Sequence, residues 1–196
     1  MNAHAPPAET SEVIEVDLRD PLVAAVLAWL WPGAGHLYQR RYAKGVLFMV
    51  CILGTFFFGL SLSDGKAVYA AWTDDAPAGG RGVRGRIGGL LTRAHYICQL
   101  GVGAPALPAI VQKYRVSHGK APLFGGVMAP PRQSPFPNDA DELSEWHETY
   151  HKYWELSTLY TMVAGLLNVL VIYDAFAGPV LPVPKEDEDE PGGDDT

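Results

Sequence analysis

Four stretches of the chain contain no Asp, Glu, Lys or Arg: residues 22–39, 45–63, 94–112 and 156–173. A helix lying against water normally shows a charged face every turn or two. An uncharged apolar run of about 18 residues is the length at which a membrane span becomes a candidate. The pattern predicts an all-α integral membrane bundle with three or four spanning helices, one of them kinked or re-entrant, plus an interfacial helix.

The four windows differ in quality. The second, Gly45 to Ser63, is continuous and covers about 28 Å as a helix, close to the thickness of a hydrocarbon core. The fourth, Leu156 to Tyr173, is similar and ends before Gly178-Pro179, a helix stop. The first runs for about ten residues from Leu22 and then meets Pro32-Gly33-Ala34-Gly35-His36-Leu37-Tyr38, so it predicts a kinked span or a re-entrant piece. The third is interrupted by Gln99, Gly101, Gly103, Pro105 and Pro108. Broken helices are tolerated in a bilayer where neighbours satisfy the freed backbone groups.

The segments between the windows divide the chain. Residues 1–20 read as a disordered acidic arm, with Asp17 or Asp20 available to cap a helix starting at Pro21. The helical membrane domain runs over 21–178, with polar loops at 64–93 and 113–140. Residues 179–196 form a disordered acidic tail. Asp139 to Glu155 predicts an amphipathic helix at the membrane surface, with Trp146, Tyr150, Tyr153 and Trp154 towards the bilayer and Glu145, Glu148, His151 and Lys152 towards water.

Charge and composition narrow the classes. The formal net charge of −7 argues against nucleic acid as a partner, since phosphate binding needs clustered cations. The two cysteines, Cys51 and Cys98, lie inside apolar windows and read as small buried hydrophobes. Residues 1–20 lack the basic region of a cleavable signal, so the first window is expected to enter the membrane and remain. With four spans, Lys and Arg divide eight against seven between the two sides, which leaves the orientation open under the positive-inside rule.

Three constellations offer chemistry. His147-Glu148-Thr149-Tyr150-His151 matches H-E-x-x-H, in which two imidazoles one turn apart hold zinc while the glutamate activates water. A third ligand would have to come from Glu155 or Asp174, and the plainer reading is the interfacial helix. Asn168 lies mid-span and is expected to hydrogen-bond to another helix. Asp174 ends the fourth window and is positioned to meet His36, Arg40 or Arg41. Arg40, Arg41 and Lys44, flanked by Tyr38 and Tyr42, suit contact with lipid headgroups.

The turn Pro32-Gly33-Ala34-Gly35-His36-Leu37-Tyr38, followed by a basic stretch and Lys44-Gly45 at the start of a second helix, resembles the two-transmembrane-helix domain family. That family carries a G-x-G-x-H-x-(Phe/Tyr) turn between its helices, and Leu167 to Phe176 is similar to its closing run, displaced by more than a hundred residues. The chain also resembles small uncharacterised bacterial membrane proteins with a P-G-x-G-x-x-Y turn. The resemblance implies a multi-pass membrane protein without known catalysis. It gives Pro32, Gly33, Gly35, His36, Tyr38, Asn168 and Asp174 a role in the turn and in helix pairing.

The expectation from sequence is therefore a multi-pass protein of the cytoplasmic membrane that is not an enzyme and needs no cofactor. It would act as an accessory, scaffold or assembly component, with the lipid bilayer and other membrane proteins or itself as partners. The alternatives are a zinc-dependent membrane peptidase built on His147, Glu148 and His151, and a small transporter or channel subunit.

Overall fold

The structure, a computed structural model, describes residues 19–70, 94–132 and 142–178. The acidic arm before Arg19, most of the basic loop at 64–93, part of the loop at 113–140 and the tail after Gly178 lie outside the described residues.

Helix α1 spans Pro21–Leu30. Asp20 accepts a hydrogen bond from the Leu22 amide at 2.9 Å, and Pro21 sits in the first turn where its missing N–H costs nothing. The helix ends at Trp31, which is extended because it precedes Pro32. Gly33, at φ +81°, reverses the chain into α2, Ala34–Tyr38. A Cβ on Gly33 would strike the Gly45 carbonyl and one on Gly35 the Ala24 carbonyl, so both glycines are needed for the close packing of this hairpin.

Helix α3 spans Tyr42–Ser61. Residues 94–100 form α4, which breaks at Gly101–Gly103 and continues through a 3-10 turn at Ala104–Ala106 into α5, Pro108–Ser117. Helix α6 is Glu142–Tyr150, and α7 is Lys152–Ala177. Helices α3 and α7 run antiparallel along each other. Gly59 meets Tyr160 and Thr161 at one end of the pair, while Lys44 meets Asp174 at the other.

Among the described residues two helices, α3 and α7, are long and apolar enough to cross a membrane, fewer than the three or four expected. Proline and glycine explain the difference. Helix α1 has ten residues, about 15 Å, half the length a span needs. Its chain then turns back, and Arg19 donates to the Tyr38 carbonyl at 3.1 Å. The third window also reverses. Gly101 packs on Gly165 and Gly103 on the Trp29 carbonyl, after which the chain returns to place the Met128 amide on the Gly65 carbonyl at 2.8 Å. Two half-length hairpins thus enter from opposite ends of the α3–α7 pair and meet halfway along α7.

Polarity is inverted relative to a water-soluble bundle. His36, Ser63, Gln99, Ser157, Thr161 and Asn168 are buried, while Val50, Leu170 and Tyr173 are each about two-thirds exposed. Only 22% of the apolar window of α3 and 33% of that of α7 is buried. A core helix of a soluble protein would be mostly buried.

Candidate functional site: a polar seam along α7

Ser157, Thr161 and Asn168 recur at four- and seven-residue spacing, which places them on one face of α7. That face is where the other elements converge. At its start the Ser157 hydroxyl shares a hydrogen bond with Ser63 at 2.7 Å and lies 2.6 Å from the Gly59 carbonyl. The Gln99 amide donates to Thr161 and to the Ala67 carbonyl, both at 3.0 Å.

Asn168 lies where the two broken hairpins meet. Its amide donates to the Ala28 carbonyl of α1 at 3.1 Å and to the Gly101 carbonyl after α4 at 2.9 Å. Both acceptors belong to helix ends, where carbonyls lose their intrahelical partners. One side chain therefore caps both interruptions. Asn168 Oδ1 is buried and has no partner among the described residues. Glycines permit the approach: a Cβ on Gly165 would overlap the Cys98 carbonyl, and one on Gly103 the Trp29 carbonyl.

The seam ends in a charged cluster. Asp174 lies 2.6 Å from His36 Nε2, 2.7 Å from Lys44 Nζ and 3.6 Å from Arg41 Nη2. Gln39 donates to the Ala175 carbonyl at 2.6 Å. His36 is fully buried, and its ring packs edge-on with Phe48. Burial holds its pKa below 6.5, and the Asp174 hydrogen bond opposes this only in part, with Arg41 and Lys44 adding to the lowering. The imidazole is neutral, donates through Nε2 to Asp174, and keeps Nδ1 bare. A second proton would leave a buried N–H without an acceptor, since Nδ1 has no partner among the described residues.

Because the unfolded chain binds this proton more readily, His36 favours folding at neutral pH. That contribution is fully present above about 6.5, the unfolded value, and is lost as pH falls below it through the lower folded value. Melting of the detergent-solubilised protein between pH 8 and 5 should show the acid side weakening, and His36→Gln should flatten that slope. An equally steep slope in the variant would assign it elsewhere.

The headgroup trio is divided by this geometry. Arg41 and Lys44 turn towards Asp174, while Arg40, at φ +63°, points outward and is exposed. Pro32 and Gly33 form the turn beneath them, and the Tyr38 ring carries the Arg19 guanidinium at 5.2 Å.

The H-E-x-x-H residues lie elsewhere. Helix α6 ends at Tyr150; the His151 amide still bonds back to the His147 carbonyl at 2.9 Å, but His151 adopts φ +46°, which ends the helix there and takes its side chain off the regular helical face of His147. His147 Nδ1 pairs with the Leu143 carbonyl at 2.7 Å and its ring stacks near Trp154. Glu148 is exposed, and Asp174 lies at the far end of α7. Among the described residues no three His, Cys, Asp or Glu side chains are placed to share a metal. Trp146 and Trp154 are buried against each other, so they do not face outward as a continuous amphipathic helix would require. The break at His151 changes the helical phase. Lys66 lies over Trp146 and Tyr150 donates to Asp64, which fastens α6 to the segment after α3.

Ser63, Ser157 and Thr161 do not stand out from sequence, and Gln99 stands out only as an interruption of the third window. Their signal is the recurrence of small polar and amide side chains inside otherwise apolar windows.

Fold and seam together define a protein that is all-helical among its described residues and built on two helices of membrane-crossing length. The chain belongs to the family of unknown function DUF6677, which matches residues 23–188. Comparison with curated proteins and with solved structures gives no match.

Proposed function

We infer that this chain is an integral protein of the cytoplasmic membrane, crossing twice through α3 and α7, and that it serves as a non-enzymatic accessory or assembly component. The observation that carries the reading is the inverted polarity: side chains able to hydrogen-bond face inward, and large apolar ones face outward. Lipid makes that arrangement favourable, because an unpaired polar group in hydrocarbon costs several kcal/mol. The buried polar groups of the seam mostly hold helices together, which supports a structural role. Arg40 reaches anionic headgroups at the end of the bundle that carries Asp174, while the exposed faces of α3 and α7 meet lipid and helices of other membrane proteins or of a second copy.

Fractionation tests the reading. The protein should stay in the membrane pellet after an alkaline carbonate wash and enter solution only with detergent. Release by carbonate, as a monodisperse species in water, would overturn it. A photo-reactive residue at Leu170 should crosslink in native membranes to another protein chain if the role is assembly, and to lipid alone if it is not.

A second reading, a small transporter or channel subunit, is favoured by one feature: two half-length hairpins meeting at Asn168, whose Oδ1 is buried without a partner among the described residues. Discontinuous helices meeting at mid-membrane are a way to form ion sites. Ion flux in proteoliposomes that disappears in Asn168→Leu would support it; absence of flux would remove it.

A further inference from the structure

Beside the α4–α5 hairpin lies a groove of about 340 Å³ lined by Ala104, Leu107, Pro108, Val111, Gln112 and the loop residues Leu123 and Phe124. It lies at the small end of the range for ligand pockets, about 300–1,000 Å³. The groove is built in advance. Gln112 is buried and commits its whole amide to the loop: Nε2 donates to the Leu123 and Val127 carbonyls at 2.8 Å, and Oε1 accepts from the Leu123 amide at 2.9 Å. No polar atom of Gln112 is left for a ligand, so the lining acts as an apolar surface.

The loop is also strained. Phe124 adopts φ +50°, a costly conformation for a bulky residue, and its ring is 82% exposed at the mouth. Val111 and Tyr114 are exposed on the same side of the hairpin.

Charge identifies the occupant. Arg115 lies one turn beyond Val111 on the same stripe of α5, and the Lys120 amide bonds back to the Arg115 carbonyl at 2.9 Å. The Arg115 guanidinium holds the Ala121 carbonyl through Nε and Nη2, which fixes its plane and leaves Nη1 without a partner among the described residues. No Asp or Glu occurs in the sequence from Ala94 to Asn138. A dry slot whose α5 wall continues into Arg115, with Lys120 turned back onto that residue's carbonyl, matches a molecule with an apolar chain and an anionic head.

We propose that this groove is a binding site for an anionic phospholipid, with one acyl chain between α5 and the 121–128 loop and the phosphate held by Arg115 and Lys120. The proposal rests on the membrane reading above. It is separate from the Arg40 surface, which lies at the other end of α3.

The test uses the full chain in mild detergent, with native mass spectrometry reading retained lipid. The probes are phosphatidylglycerol and phosphatidylcholine with the same acyl chains. The wild type should retain one phosphatidylglycerol and prefer it at least tenfold. Val111→Trp, or Leu107→Phe should the first variant lose helicity by circular dichroism, should abolish retention of both lipids. Arg115→Gln with Lys120→Gln should keep the lipid but reduce the preference below about twofold. Equal retention in the groove-filled variants, no preference in the wild type, or a preference lost only in Arg40→Gln would overturn the site. Carbonate-resistant protein that retains no lipid would remove this site while leaving the membrane reading intact. Release by carbonate would remove both.

Discussion

Gly103→Val is expected to abolish the folded protein. Gly103 adopts φ +83° and ψ −131°, a conformation open essentially to glycine, and a Cβ there would collide with the Trp29 carbonyl. The atoms it would meet, the carbonyls of Trp29 and Leu30, are backbone, so no side chain can move aside. The tips of the two half-length hairpins would be forced apart, and Asn168 could no longer reach both the Ala28 and Gly101 carbonyls. The expected loss exceeds about 4 kcal/mol, in the range reserved for backbone and core disruption. Gly54 is the control. Nothing lies within 4 Å of a Cβ there, so Gly54→Ala should leave melting unchanged or raise it slightly. Melting of both variants in the same detergent checks the contrast, and near-equal midpoints would mean that the hairpin tips do not meet.

The second large effect is expected at Asp174. Asp174→Ala would leave the Lys44 ammonium and the Arg41 guanidinium without their anion and the buried His36 Nε2–H without its acceptor. Removing one partner of a buried pair costs about 3–5 kcal/mol. Asp174 is about one-third exposed, as is Lys44, so solvent screening reduces the expected loss to about 1–3 kcal/mol. Lys44→Ala should cost less, because His36 and Arg41 still face the carboxylate. The double variant should be less destabilised than the sum of the two single changes, since the second removes a cation already left unpaired. Strict additivity would show that the pair does not interact.

The two long helices were legible in the sequence because each rests on an uninterrupted apolar window, Gly45 to Ser63 and Leu156 to Tyr173. Pro32 likewise marked a break after Trp31. What the sequence could not settle was where the chain goes after a break. Gly101, Gly103, Pro105 and Pro108 announce an interruption in the third window. That the chain reverses there depends on Gly103 meeting Trp29 and Gly101 meeting Gly165, contacts made across more than sixty positions of sequence. The polar seam was half legible. Asn168 and Asp174 stood out because each is isolated in or beside a greasy run. Ser157 and Thr161 did not, because hydroxyls are common in such runs and gain meaning only opposite Ser63 and Gln99. The aromatic helix departs from its amphipathic pattern for a geometric reason: the left-handed residue His151 breaks the helix between Tyr150 and Lys152 and turns Trp154 inward.

The central claim is that α3 and α7 cross a bilayer while α1–α2 and α4–α5 each enter and leave on one side. Sidedness of single cysteines tests it directly, in sealed vesicles, with a membrane-impermeant thiol reagent and with Cys51 and Cys98 replaced by alanine. Cysteines at Arg19 and Arg40 should react from one side, and cysteines at Asp64 and Lys120 from the other. Labelling of positions 64 and 120 from opposite sides would make the third window a true span, and labelling of 40 and 64 from the same side would mean that α3 does not cross at all.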